Sequence, residues 1–181
     1  MSWKGWYHVI GNTYGTWLRG DHRGWRERHH RKHVEGDYKH PPAPGTFEEL
    51  EDRSRELMIR PPVYLDHEQR KIAGQALIDK LVEKNVLVVA VSVDSTHFHV
   101  LAKFEEGDPR MKMGLAKKNA SIILKSHGIP DGTWAIRSKA GPVRTREHQL
   151  RVYDYILNHS RKTDAWTWRL KDGVYWTRHT F

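Results

Sequence analysis

The order of segments along the 181 residues, strand, helix, hairpin, helix, strand, helix, predicts an α+β domain of ferredoxin-like plan, an antiparallel sheet with helices packed on it. Three observations carry this expectation. Two strand-like runs, the first largely apolar and rich in β-branched valine, are joined by a short polar turn in the middle of the chain. Apolar residues at helical spacing flank that hairpin on both sides. The length suits one well-buried domain with decorations rather than two full-sized ones.

Tyr7-His8-Val9-Ile10-Gly11-Asn12-Thr13-Tyr14 is rich in strand formers and is the expected first strand. Residues 20–62 are basic, His-rich and broken by His40-Pro41-Pro42-Ala43-Pro44-Gly45, so they read as an insertion on the core, with one helix over 47–59. Asp66 and Gln69 form a capping-box pair, and Ile72, Ala76, Leu77, Leu81 and Val82 recur at helical spacing, which predicts an amphipathic helix over 66–84. The run Val86-Leu87-Val88-Val89-Ala90-Val91-Ser92-Val93, the turn Asp94-Ser95-Thr96 and a strand over 97–104 make the central hairpin.

Asp108-Pro109 opens a second helix to about residue 126, with proline at its tolerated first position and Gly128 beyond its end. Its expected exposed side carries Arg110, Lys112, Lys117, Lys118 and Lys125, a face suited to tracking phosphates or to solvation alone. Trp134-Ala135-Ile136-Arg137 is a short strand, and Thr145 opens a third helix to about residue 161. The tail returns as two short runs around an Asp172-Gly173 turn. The expected organisation is one domain, with a core of 1–19 and 63–165, the insertion 20–62, and a Trp-rich tail at 166–181.

Lys and Arg number 31 against 22 Asp and Glu, a formal charge of +9, which points to a polyanionic partner. The basic residues are interleaved with many of the 8 Trp and 7 Tyr, as in Trp17-Leu18-Arg19 and Trp25-Arg26-Glu27-Arg28-His29-His30-Arg31-Lys32-His33. Cations for phosphates beside flat rings for unpaired bases suit single-stranded nucleic acid. On that ground Arg19, Arg26, Arg28, Arg31, Lys32, Lys112, Lys117 and Lys118 are candidate DNA contacts, and Trp25, Trp166, Trp168 and Trp176 are candidate stacking rings or packing for the insertion and tail. The chain has no cysteine, which excludes disulfides, thiolate metal sites and cysteine nucleophiles. No apolar run approaches the roughly 18 residues of a membrane span. A cytoplasmic protein, nucleoid-associated in a bacterium, is the expectation.

His97-Phe98-His99 opens the second hairpin strand, where alternation sends both imidazoles to one face and Phe98 to the other. Two neutral imidazoles on one rigid strand make a bidentate metal site, although in a chain with 13 histidines such a pair also arises by chance. On the last helix lies Val152-Tyr153-Asp154-Tyr155-Ile156-Leu157-Asn158-His159. Helical phase puts Tyr153 in the apolar arc and Tyr155 with His159 at its edge, one turn apart.

In this order the motifs resemble those of the HUH endonucleases, specifically the single-tyrosine transposases of the insertion-sequence-200 type and their REP-associated relatives. The resemblance covers the first strand and about 65–165. It implies an RRM-like HUH fold in which His97 and His99 hold a divalent metal and Tyr155 is the nucleophile. The family has an amide residue as third ligand four positions after the tyrosine; His159 stands there in this chain. The metal implied is Mg or Mn, with Mn, Co, Ni or Zn suited to a third imidazole. His148, a turn or so before Val152, is a candidate base or alternative ligand.

The activity implied is cleavage of single-stranded or hairpin DNA to a 5′-phosphotyrosine and a free 3′-hydroxyl, followed by strand transfer without ATP. Both monomers and homodimers fit the resemblance. Two other outcomes stay open: a non-cutting DNA- or RNA-binding protein of the same fold, and a hydrolytic nuclease in which water replaces Tyr155.

Overall fold

The computed structural model describes residues 3–23, 25, 43, 45–129 and 131–170. Its elements run β1 (Trp6–Thr13), α1 (Glu48–Glu56), α2 (His67–Glu83), β2 (Val86–Val93), β3 (His97–Phe104), α3 (Pro109–Lys125), β4 (Trp134–Pro142), α4 (Arg146–Leu157), α5 (His159–Thr163) and β5 (Trp166–Arg169). The strands form one antiparallel sheet in the order β4-β1-β3-β2-β5. This is the expected α+β arrangement, with β1 and β3 in the centre and β5 added at the β2 edge.

The sheet has a helix layer on each face. Val9, Val91, Phe98, Val100 and Ala102 face α2 and α3, where Leu77, Leu81, Met113 and Leu124 complete the larger core. Leu101, Val89 and Ala90 face the other way and pack with Trp6, Val143 and the α4 residues Val152 and Ile156. A register shift between Val88 and Ala90 lets β2 send two successive residues, Val89 and Ala90, to the α4 side. The alternation of β3 therefore commits His97 and His99 to the α4 face.

The helix starts follow their sequence signals. Asp66 and Gln69 make the reciprocal capping box of α2, and Asp108 accepts from the Arg110 amide ahead of α3, with Pro109 in its first turn. β4 extends to Pro142, beyond the expected 134–137, because it pairs with β1 from Trp134 to Pro142. The helix expected over 145–161 is divided at Asn158 into α4 and α5, and α5 ends where Asp164 takes a left-handed conformation, φ 56°.

One expectation from the basic pattern is corrected. Lys117 is buried, not part of an exposed stripe: it shares the inward face of α3 with Met113, Ala116, Ala120 and Leu124. Its Nζ donates to the carbonyls of Ala135 (2.6 Å) and Ile136 (3.2 Å), tying α3 to β4. Trp166 and Trp168 are half-buried and pack against the larger core from β5. Gly74 in α2 makes room for this, since a Cβ there would collide with the Trp166 ring. Among the described residues no helix is long and apolar enough to cross a membrane.

Candidate metal centre and tyrosine

Four histidines from three elements meet on the α4 face. His97 and His99 come from β3, His8 from β1 and His159 from the first residue of α5. One ring nitrogen from each of His97, His99 and His159 lies within 4.8 Å of the others. The ring centroids of His99 and His159 are 4.5 Å apart, and those of His97 and His99 5.0 Å.

Local structure explains the placement of His159. Thr163 at the end of α5 donates its hydroxyl hydrogen to the His159 carbonyl at 3.1 Å, closing the short helix on the residue that opens it. In the turn that leads to His97, burial pushes the Asp94 carboxyl up, but the nearby Thr163 hydroxyl and the hydrogen bonds from the Ser95 amide and hydroxyl outweigh it and hold the group below its usual range. Nδ1 of His159 lies 3.0 Å from the carbonyl oxygen of Tyr155. A carbonyl only accepts, so Nδ1 carries the proton and donates, leaving the Nε2 lone pair of His159 bare.

Burial keeps three of these imidazoles, His8, His97 and His99, neutral. Burial, followed by the charges of His8, His97 and His159, pushes His99 down to about 2. Burial, then His148, Lys139 and His159, pushes His8 down to about 4. His97 is also lowered by burial, which outweighs the attraction of Asp94. These three imidazoles therefore hold lone pairs rather than charges at neutral pH.

The site also holds two unsatisfied polar atoms. His99 is 3% exposed and its Nε2 has no hydrogen-bond partner among the described residues. Ser92, directly opposite His99 in the β2–β3 ladder, has a buried hydroxyl that is likewise unpartnered. Such groups are costly unless a ligand or water completes them. Three converging imidazoles, with a buried nitrogen lacking a partner, have the donor chemistry of a divalent metal site.

Tyr155 borders this cluster. Its ring centroid is 4.7 Å from that of His159 and 5.3 Å from that of His99, in both cases edge to face. The residue is 49% exposed, on the outer side of α4, so a large ligand can reach it. Tyr153 instead packs on the smaller core with Val152 and Ile156. His148 lies close enough to influence His8 but is not in the three-histidine group.

The candidate DNA contacts separate into three sets. Arg19 is exposed and sits over the Trp25 ring at 5.6 Å. Trp25 itself is 8% exposed and packs edge-on against Phe47, so it is a packing residue and not a free platform. Lys118 is exposed and Lys112 is half-buried, donating to the Lys84 carbonyl; both belong to α3, on the layer opposite the histidines. Arg26, Arg28, Arg31, Lys32 and Trp176 lie outside the described residues.

Sequence reasoning missed His8 and Arg23. His8 belongs to a strand whose alternation gave no reason to single it out before its neighbours were known. Arg23 is held by Asp21 and by the carbonyl of Thr16, and its guanidinium covers the half-exposed Trp17 ring at 4.7 Å. Thr16 is itself bonded to the Thr96 carbonyl, next to His97, so this loop is pinned at the rim of the cluster. The charge of Arg23 reaches His97.

No family model matches the chain, and no curated protein matches it in sequence. Among solved structures it is similar to that of a REP-associated tyrosine transposase bound to a REP hairpin, with a TM-score of 0.50 at 15% identity, over 90% of this chain and 69% of that one. The likeness is one of fold. It places the chain's α+β architecture beside that of a tyrosine transposase, while the roles of individual residues rest on their own geometry.

Proposed function

We propose that this chain is a metal-dependent single-stranded DNA transesterase of the tyrosine transposase kind. The observation that carries the reading is the position of Tyr155, exposed and in ring contact with both His99 and His159 of its own chain. Fold likeness to a transposase bound to a DNA hairpin, the formal charge of +9 and the three-histidine cluster support it.

His97, His99 and His159 would hold the metal, which supplies a Lewis acid for a scissile phosphate. Three imidazoles suit Mn, Co, Ni or Zn better than Mg. The Tyr155 oxygen attacks phosphorus, giving up its phenolic proton, and the bond to the 3′ oxygen breaks. That oxygen leaves as a 3′-hydroxyl while the 5′ side stays on Tyr155 as a phosphotyrosine ester. Attack on this ester by another 3′-hydroxyl joins new ends. Arg19, with Arg23 and Trp17 at the rim, would bind the strand through phosphate charge and base stacking.

The test is incubation of the purified chain with Mn²⁺ and a labelled single-stranded hairpin DNA, resolved on a denaturing gel. A covalent protein–DNA band that vanishes in Tyr155→Phe supports the reading. Cleavage that survives Tyr155→Phe without a covalent band assigns the attack to water, and a covalent band that survives it assigns the attack to Tyr153. Binding without cleavage leaves a DNA-binding protein of the same fold.

A further inference from the structure

His8 stands outside every motif that marks the site, yet among the described residues it is the side chain that hydrogen bonds to the His99 ring. Its Nε2 lies 3.0 Å from Nδ1 of His99, and the two rings stack at 5.1 Å with 28° between their planes. The backbone fixes this contact: His8 pairs with Leu101 and Ile10 with His99, so His8 is the diagonal neighbour of His99 on the same face. β1 is hydrogen bonded on both sides, to β3 and to β4, which leaves His8 little freedom to move away.

We infer that His8 is a positioning residue for the metal centre: it accepts a hydrogen bond at Nε2 from Nδ1–H of His99 and so holds His99 in the tautomer whose Nε2 is a bare lone pair. The inference rests on the reading of His97, His99 and His159 as metal ligands. A neutral imidazole carries one N–H, so only two assignments of this hydrogen bond exist. If His8 donated, the proton of His99 would sit on Nε2, a buried donor with no acceptor among the described residues and unable to bind a cation. If His99 donates, the same buried Nε2 becomes a ligand atom directed at its two partners.

His159 follows the same rule with a different partner. Its Nδ1–H donates to the Tyr155 carbonyl, which leaves Nε2 bare. A histidine that binds a metal through one nitrogen generally needs its other N–H engaged, usually by a carboxylate, carbonyl or water. At His99 an imidazole fills that place. Being neutral, it orients the ligand without adding an anion beside a site meant for phosphate, where a carboxylate would repel the substrate.

The experiment compares the full chain with His8→Leu, which removes the acceptor, and His8→Gln, whose amide oxygen can replace it. Long-range ¹H–¹⁵N spectra of the metal-free protein report which nitrogen of His99 is protonated, and calorimetric titration with Mn²⁺ reports affinity. The expected results are Nδ1–H at His99 in the wild type, Mn²⁺ affinity weaker by about 10–100-fold in His8→Leu, and recovery of most of it in His8→Gln. Protonation of His99 at Nε2 in the wild type overturns the inference, as does wild-type affinity in His8→Leu or equal loss in both variants. The tautomer is read without metal or DNA, so it decides the role of His8 even for a chain that forms no tyrosine adduct.

Discussion

Tyr155 and His159 are joined twice: their rings meet edge to face at 4.7 Å, and the His159 ring donates to the Tyr155 backbone carbonyl at 3.0 Å. The nucleophile proposed for the reaction and the third proposed ligand therefore move as one unit, across the interruption at Asn158. Replacing the imidazole by an amide tests what the histidine contributes. His159→Asn should lower affinity for Zn²⁺ and Co²⁺ more than for Mg²⁺, because an amide oxygen is the harder donor. Calorimetric titration of both proteins with each ion checks this; an unchanged order and spacing of affinities would remove His159 from the ligand set.

The Trp17–Arg23 pair predicts a base-stacking position at the rim of the site. Trp17→Ala should weaken binding of single-stranded hairpin DNA by about 1–3 kcal/mol, the usual range for one base on an aromatic ring. Trp17→Phe should restore part of it. Fluorescence anisotropy at fixed salt measures both, and equal affinity in all three proteins would place the strand elsewhere.

Lys117 carries a pH prediction. Burial pushes its ammonium down to about 8, whereas in the unfolded chain it titrates near the ordinary value of 10.5. Between these values the unfolded state binds the extra proton, so this residue makes stability rise as pH increases through that window, against whatever slope the rest of the chain imposes. Lys117→Met should flatten that contribution while keeping the volume. Urea unfolding at pH 7.5 and 10 on both proteins isolates it, and an identical pH dependence in wild type and variant would contradict the assignment.

Gly74 is required by its neighbour. The interior of a helix disfavours glycine by roughly 0.5–1 kcal/mol relative to alanine, yet here a methyl group would collide with the Trp166 ring. Gly74→Ala should therefore destabilise the fold by about 1–3 kcal/mol, the cost of overpacking, against the gain in helix propensity. Thermal unfolding checks the sign. A stabilised variant would show that β5 yields easily.

Much of this architecture is legible in local pattern. The capping box at Asp66 and Gln69, the Asp108-Pro109 start and the β-branched run of β2 each declare themselves within a few residues. The phase of α4, which sends Tyr153 to the core and Tyr155 to the surface, follows from helical spacing alone. What sequence cannot carry is contact between distant elements. Lys117 reads as an exposed charge until β4 supplies carbonyls for it, and Trp166 reads equally as a stacking ring or as packing until α2 offers the gap at Gly74. His8 gains meaning only from the register of β1 against β3, which no local signal in the first strand encodes.

The central claim is that Tyr155, and not its neighbour Tyr153 or a water molecule, attacks the DNA. Mass spectrometry of the chain after reaction with Mn²⁺ and hairpin DNA, followed by nuclease and trypsin digestion, tests it directly, because both tyrosines fall in the tryptic peptide 152–161. A residual nucleotide on Tyr155 is the result the account predicts. The nucleotide on Tyr153, or cut DNA with an unmodified peptide, would contradict it.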